Sequence, residues 1–225
     1  MATREADIRA RDIRVDLLEI GRMIEPGSRV LDIGCGDGDL LYHLVHDRRV
    51  DARGMELTRE GVNACVARGL SVVQGDADRD LGDYPTGAFD YAVLSQTLQA
   101  MRDTRAGLEQ MLRIGKRAIV SFPNFGFWKV RLQLLVTGRM PESRALEYPW
   151  YNTPNIHLCT IRDFADLCEE LGITVERFLA IDASGKPARM AHSTRQANLL
   201  AEQALFLLAY HGERDASGAP LYRPR

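Results

Sequence analysis

The chain has little of what most readily points to a function. Among its 225 residues there are four cysteines, Cys35, Cys65, Cys159 and Cys168, and no CxxC pair. That spacing offers neither a zinc ribbon nor a disulfide framework, so reduced thiols and no bound metal are expected. No stretch approaches the roughly 18 apolar residues that a membrane span needs. An excess of one charge is missing too. The net charge is −2 and the basic residues are scattered rather than striped. No field therefore draws the protein to nucleic acid or to a membrane surface, and neither is an expected partner. The first residues, Met1-Ala2-Thr3-Arg4-Glu5-Ala6-Asp7, lack the apolar core of a secretory signal, and the expected location is the cytoplasm. There is no internal repeat and no low-complexity segment. The 45% hydrophobic and 27% charged content is that of an ordinary globular protein.

The most informative stretch is Arg29-Val30-Leu31-Asp32-Ile33-Gly34-Cys35-Gly36-Asp37-Gly38-Asp39-Leu40-Leu41. Val30, Leu31 and Ile33 read as a buried strand. Gly34, Gly36 and Gly38 read as a turn, because glycine reaches positive φ and lets a ligand approach the backbone. Leu40, Leu41, Leu44 and Val45 begin a helical stripe. A helix starting there points free N–H groups over the turn, which makes a nucleotide-like ligand the first hypothesis.

The rest of the chain falls into order around this turn. Ile13, Leu17, Ile20 and Ile24 share one helical face, predicting a helix over 4–24. After the turn a helix runs to about His46. Strands are predicted at 50–56, 70–74, 89–94, 117–122 and 173–181, with helices at 59–68, 104–113 and from Thr160 to Gly172. Thr160 should cap that last helix, with Asp163 three residues on as a weaker version of the capping box. Alternating strands and helices with short loops imply a doubly wound α/β fold with parallel strands and right-handed crossovers. Ligands then bind beyond the carboxyl ends of the strands, where the strand order reverses. Residues 123–160 break the rhythm with an aromatic-rich insertion, too long for a simple loop. Residues 201–210 suit a helix by propensity and a buried strand by their continuous apolar run. A short helix over 195–200 precedes them, and 211–225 should be a loose tail after a single domain at 1–210.

Three ligand classes compete for the turn. A P-loop needs GxxxxGK[ST], and no lysine follows these glycines. A dinucleotide fingerprint needs GxGxxG, but position 39 is aspartate. The glycines run GxGxG with Asp32 two residues before, the pattern of S-adenosylmethionine (SAM) sites. Glu56 lies at the end of the next strand, 22 residues after Gly34, where its carboxylate could accept the ribose hydroxyls. Gly75, Asp76 and Ala77 follow strand three and could hold the adenine edge. Ser95 and Gln96 follow strand four, beside the amino-acid end of such a ligand. With Cys35, Asp37 and Leu57 from the same loops, these residues form the expected site for SAM or S-adenosylhomocysteine. Singly, Glu56 or Asp76 reads equally well as a solvated loop acid.

These features resemble the class I SAM-dependent methyltransferase superfamily. Further stretches sharpen the likeness. Leu94-Ser95-Gln96-Thr97-Leu98-Gln99, Val120-Ser121-Phe122-Pro123-Asn124-Phe125-Gly126, Gly138-Arg139-Met140-Pro141 and Trp150-Tyr151-Asn152-Thr153-Pro154-Asn155-Ile156-His157-Leu158-Cys159-Thr160 are similar to the methionine biosynthesis protein MetW family. The resemblance implies a Rossmann-like seven-stranded sheet whose last strand is antiparallel, so 204–210 should be a strand. It also implies a role in methionine biosynthesis beside homoserine O-acyltransferase (MetX, a homoserine O-acetyltransferase in the acetyl-transferring form).

Fold and role then pull apart. As an enzyme, the protein would transfer the SAM methyl group to a small acceptor, with His157, Tyr151 or Asn155 as weak candidates for a base. The favoured reading of His157 is a hydrogen-bonded structural residue, and that of Ser121 to Asn124 a loop-shaping motif. As a partner, the protein would dock on the acyltransferase and support or regulate it. Trp128, Arg131, Arg139, Trp150 and Tyr151 supply residue types enriched at interface hot spots. The alternative for the insertion is that Phe127, Val130, Leu134 and the tryptophans simply pack on the sheet.

Overall fold

The computed structural model describes residues 13–143, 146, 148–182, 185–187, 193–216 and 218–220. Seven strands form one sheet: β1 Arg29–Ile33, β2 Asp51–Glu56, β3 Val72–Gln74, β4 Phe89–Ser95, β5 Gly115–Pro123, β6 Thr174–Ile181 and β7 Gln203–Ala209, in the order β3-β2-β1-β4-β5-β7-β6. The first five run parallel, and β7 lies antiparallel between β5 and β6. The apolar run at 204–210 is therefore strand. Its side chains Leu205, Phe206 and Leu208 are buried, which a surface helix over the same residues would not achieve.

The helices are α1 Val15–Met23, α2 Asp39–Tyr42, α3 Arg59–Ala67, α4 Ala77–Asp80, α5 Thr104–Ile114, α6 Trp128–Thr137, α7 Ile161–Glu170 and α8 Thr194–Leu200. Their limits follow from local chemistry. Thr58 caps α3 by accepting from Gly61 N, and Asp103 caps α5 by accepting from Ala106 N. The capping box of Thr160 and Asp163 is complete at the start of α7. On that helix Ile161, Phe164 and Cys168 face inward, and Phe164 packs against Phe122 and Phe206 with ring centroids 4.9 and 4.8 Å apart. One apolar cluster lies on each face of the sheet: one holds Leu31, Met55, Phe122 and Phe164, the other Leu17, Ile20, Val30, Leu41 and Cys65.

Several boundaries differ from expectation. The first helix starts at Val15, with Ile13 and Arg14 outside it; residues 4–12 of the predicted helix lie outside the described residues. The helix after the glycine turn widens into a π turn over His43–Asp47, with His43 Nδ1 2.8 Å from Asp47 Oδ2. The predicted strand at 70–74 shortens to three residues. The link from β3 to β4 holds only α4 and one 3₁₀ turn, Leu81–Asp83, where this layout usually places a full helix. Of the predicted tail 211–225, residues 217 and 221–225 lie outside the described residues; Arg214 there donates to the carbonyls of Gly218 and Tyr210.

The insertion carries α6 and a small core of its own, Phe127, Val130 and Leu146. Phe127 and Val130 are thus buried as packing residues, whereas Leu134 and both tryptophans are exposed. Asn124 fixes both ends of the insertion. Its Nδ2 donates to the carbonyls of Asn198 and Ala201 at 2.9 and 2.8 Å, and its Oδ1 accepts from the amides of Gly126 and Ile161 at 2.9 and 3.2 Å. The loop-shaping reading of Ser121 to Asn124 accounts for these bonds.

Candidate cofactor site

The strand order reverses between β1 and β4, and the glycine turn leaves β1 at that point. Each of the three glycines has positive φ (71°, 58° and 85° at Gly34, Gly36 and Gly38), but they face different surroundings. A Cβ on Gly34 would lie 2.6 Å from Thr97 Oγ1, and one on Gly38 would lie 2.6 Å from Leu70 Cδ1 and 2.8 Å from Cys65 Sγ. A Cβ on Gly36 would meet nothing within 4 Å. Gly34 and Gly38 are therefore packing glycines, and Gly36 is the one whose bare backbone faces open space.

Glu56, at the end of β2, is buried against this turn. Its Oε2 accepts from Gly36 N at 2.9 Å, and its Oε1 accepts from Thr58 N at 2.9 Å and Thr58 Oγ1 at 2.8 Å. The strand-two acid and the glycine turn form one hydrogen-bonded unit. Asp39, where a dinucleotide fingerprint would have its third glycine, pairs with Arg68 at 2.8 Å; the same guanidinium donates to Asp37 O at 2.9 Å. Position 39 thus serves as a brace between α2 and the end of α3.

Asp32 is the electrostatic centre. It is 1% exposed, and its Oδ1 has no hydrogen-bond partner. Burial pushes its carboxyl up to about 7; Arg14 opposes that rise and Glu56 adds to it. Arg14 reaches the cleft from just before α1. It donates to both carboxylate oxygens of Asp16 at 3.1 and 2.9 Å, to Ser95 Oγ at 3.0 Å and to Gln96 Oε1 at 3.4 Å. Asp16 itself is buried, and it is compensated by this pair and by Gln96 Nε2 at 3.4 Å. Gln96 holds φ 53°, a left-handed conformation uncommon for a side-chain-bearing residue. Arg14, Leu17, Asp32, Gly34, Cys35, Gly36, Asp37, Asp39, Leu40 and Ser95 together line a cleft of about 130 Å³.

Of the expected residues, Asp32, Gly34, Cys35, Gly36, Asp37 and Ser95 line this cleft, whereas Gly38, Glu56, Leu57, Gly75, Asp76, Ala77 and Gln96 are not among its lining residues. Gly75 follows β3, with Gly75 N donating to Glu56 O at 3.0 Å. Asp76 caps α4 through Asp78 N, Ala77 is half-buried, and Leu57 is exposed. The catalytic candidates stand elsewhere. Tyr151 and His157 are exposed and Asn155 lines a separate pocket with Phe125, Tyr148 and Trp150; none of the three lines the cleft. His157 Nε2 donates to the carbonyl of Arg102 at 3.2 Å, as a structural histidine would. A larger concavity of about 720 Å³ lies at the opposite edge of the sheet, between Arg29, Arg53, Val73 and Phe89. It follows from the short β3–β4 crossover and contains neither the glycine turn nor a partnerless buried polar atom among the described residues.

Sequence reasoning missed Arg14, Asp16, Leu17 and Thr58. Nothing in the local pattern of Arg14-Val15-Asp16 separates a cleft-lining pair from a solvated helix start. Gly61 was also missed: a Cβ there would lie 2.7 Å from Glu56 Cγ and 2.8 Å from Gly36 O, so this glycine lets α3 close on the turn.

The strand order, with its antiparallel last strand, is that of the methyltransferase-type α/β fold. Solved structures agree on the fold. A SAM-dependent methyltransferase from Thermotoga maritima, described as a possible histamine N-methyltransferase, matches with a TM-score of 0.62 at 16% identity, over 92% of this chain and 94% of its own. Magnesium protoporphyrin IX methyltransferase from Synechocystis PCC 6803, solved with bound S-adenosylhomocysteine, matches with a TM-score of 0.58 at 14% identity, over 87% and 80%. The sequence profile described as "Methionine biosynthesis protein MetW" matches residues 14–208, and the chain belongs to that family. A bifunctional methionine biosynthesis protein MetXA/MetW of Rhodopirellula baltica is 32% identical over 210 residues, covering 89% of this chain and 33% of the relative. The chain spans about a third of the length of the curated relatives it matches.

Proposed function

We propose that this protein binds SAM at the glycine turn and associates with homoserine O-acyltransferase through its aromatic insertion, so supporting or regulating homoserine acylation in methionine biosynthesis. The observation that carries the cofactor reading is the buried, partnerless carboxylate oxygen of Asp32 beside the open backbone of Gly36. A carboxyl buried without a partner is costly to charge, and the ammonium of a methionine moiety would stabilise its charged form. Glu56, already turned onto the loop, would keep lone pairs for a ribose hydroxyl. Gly75, Asp76 and Ala77 would follow the adenine, while Ser95, Gln96 and Arg14 would border the amino-acid end. SAM, if bound, carries a sulfonium-activated methyl group; S-adenosylhomocysteine would fill the same subsites.

The partner reading is supported by the insertion's surface. Val130 is the buried residue of α6, whereas Trp128, Leu132, Leu135 and Val136 on it are exposed, as are Trp150 and Tyr151 beyond it. Exposed large apolar side chains gathered in one segment are a feature of protein contacts. Arg131 and Arg139 are exposed at the same surface, with Arg131 Nε also tied to Gly126 O at 2.6 Å. The Rhodopirellula relative, named for both MetXA and MetW, fits such an association. Independent methyl transfer is the lesser reading, because His157, Tyr151 and Asn155 do not line the cleft. Calorimetric titration with SAM tests the cofactor reading: a saturable heat lost on Gly36→Asp supports it, and no heat with the wild-type chain rejects it.

A further inference from the structure

The insertion is fastened in two different ways. Its ends are locked by the four buried hydrogen bonds of Asn124. Its middle is tied to the rim of the cleft by much lighter means. The amides of Ile156 and His157 both donate to one acceptor, the carbonyl of Gln99, at 2.7 and 2.9 Å. Gln99 is tied in turn to the cleft: its Nε2 donates at 3.1 Å to the carbonyl of Gln96. A second thread runs from the other rim. His157 Nε2 donates to Arg102 O, the Arg102 amide donates to the Asp78 carboxylate at 3.0 and 3.1 Å, and the Asp78 amide donates to Asp76 Oδ1 at 3.0 Å. Both threads end on residues that would border the ligand, Gln96 on one side and Asp76 on the other.

The Gln96–Gln99 turn also carries two unfinished features. Gln96 is held at φ 53°, and Gln99, 6% exposed, keeps a buried Oε1 with no partner. A strained residue next to an unsatisfied buried acceptor describes a segment with a second arrangement open to it, in which the backbone relaxes and the acceptor finds a donor. A ligand that touched Ser95 and Gln96 would make different contacts with two such arrangements, which is the requirement for shifting their populations.

We propose, resting on the SAM reading of the cleft, that the Gln96–Gln99 turn relays cleft occupancy to the aromatic strap at 148–158. The strap carries Tyr148, Trp150, Tyr151 and Ile156, all exposed, so occupancy is read at the face offered to a partner. Linkage makes the relay reciprocal: a partner that holds the strap in one position changes the affinity of the cleft by the same factor.

Both tryptophans, Trp128 and Trp150, lie in the insertion, so intrinsic emission reports on it. The test titrates the full chain with SAM, following heat by calorimetry, tryptophan emission, and hydrogen exchange of the peptide spanning Ile156 and His157. It compares wild type with Gln99→Met, which keeps the side-chain length but removes the donor to Gln96 and the stranded acceptor. The expected result is SAM heat in both proteins, with the changes in emission and exchange present in wild type and lost in the variant. The relay is overturned if wild type binds SAM with neither change, or if Gln99→Met shows both changes at full size. Absence of any binding heat in wild type rejects the SAM reading instead, and the relay with it. If Gln99→Met does not fold, as judged by circular dichroism, the wild-type exchange and emission still decide.

Discussion

Gly36 and Glu56 are joined at the glycine turn: the amide of the turn donates at 2.9 Å to the carboxylate that ends the next strand. Two parts of the sequence 20 residues apart thereby hold one another in place before any ligand arrives. The acid has a structural duty as well as the binding one proposed for it, and substitution should show both. Glu56→Ala leaves Gly36 N and the Thr58 donors without their acceptor, a loss of about 1–3 kcal/mol of stability. Thermal denaturation should show the drop, and SAM heat should vanish with it. Glu56→Gln, which keeps an acceptor, should lose less stability than affinity.

The glycines separate folding from binding. Gly36→Ala meets no atom, so its cost should be the conformational strain alone, about 1 kcal/mol. Its methyl group enters the open side of the turn, and ligand affinity should fall far more than stability. Gly38→Ala drives a Cβ into Leu70 and Cys65, adding overpacking of about 1–3 kcal/mol to the strain. Melting curves set beside titrations check both. Equal stability losses would mean that the two glycines do not differ in role.

Asp32 makes the stability of the fold pH-sensitive. Its folded carboxyl titrates at about 7, above the ordinary carboxylate range, so the folded chain holds a proton that the unfolded chain releases. Stability from this group is therefore lost as pH rises from about 4 to about 7, and levels off above that. Asp32→Asn removes the titration, and its stability advantage over wild type should grow by about 1–3 kcal/mol between pH 5 and pH 8. On the proposed SAM reading, the same variant should bind SAM more weakly, because it lacks the carboxylate proposed to meet the ammonium. Denaturant midpoints across that pH range check the first claim, and an unchanged difference would contradict it.

The sheet was legible because each of its features has a local cause. Continuous apolar runs gave the parallel strands, and the capping pair Thr160 and Asp163 gave the start of α7. The seventh strand was not decided by pattern, since buried helix and buried strand share the same apolar run; burial on both faces decides it. The glycine turn was legible as GxGxG, and Glu56 as the acid that ends the next strand. The pair Arg14 and Asp16 was not, because it acts through contacts to Ser95 and Gln96 some 80 residues away. The short β3–β4 crossover was hidden for a similar reason: one turn of helix carries no periodicity.

The insertion should divide into anchoring and contact residues. Asn124→Ala removes four buried hydrogen bonds at both ends of the insertion and should cost about 3 kcal/mol or more. Trp150→Ala and Leu135→Asp alter exposed side chains and should leave the melting temperature nearly unchanged. If the insertion is the docking face, those two variants are the ones that lose the partner. Melting curves beside size-exclusion runs with homoserine O-acyltransferase sort the two groups.

The measurement that bears most directly on the account mixes this chain with homoserine O-acyltransferase, follows their elution, and assays homoserine acylation with and without the chain and SAM. The account predicts co-elution, an acylation rate that depends on the chain, and loss of both with Trp150→Ala combined with Leu135→Asp. Separate elution with an unchanged rate would contradict it.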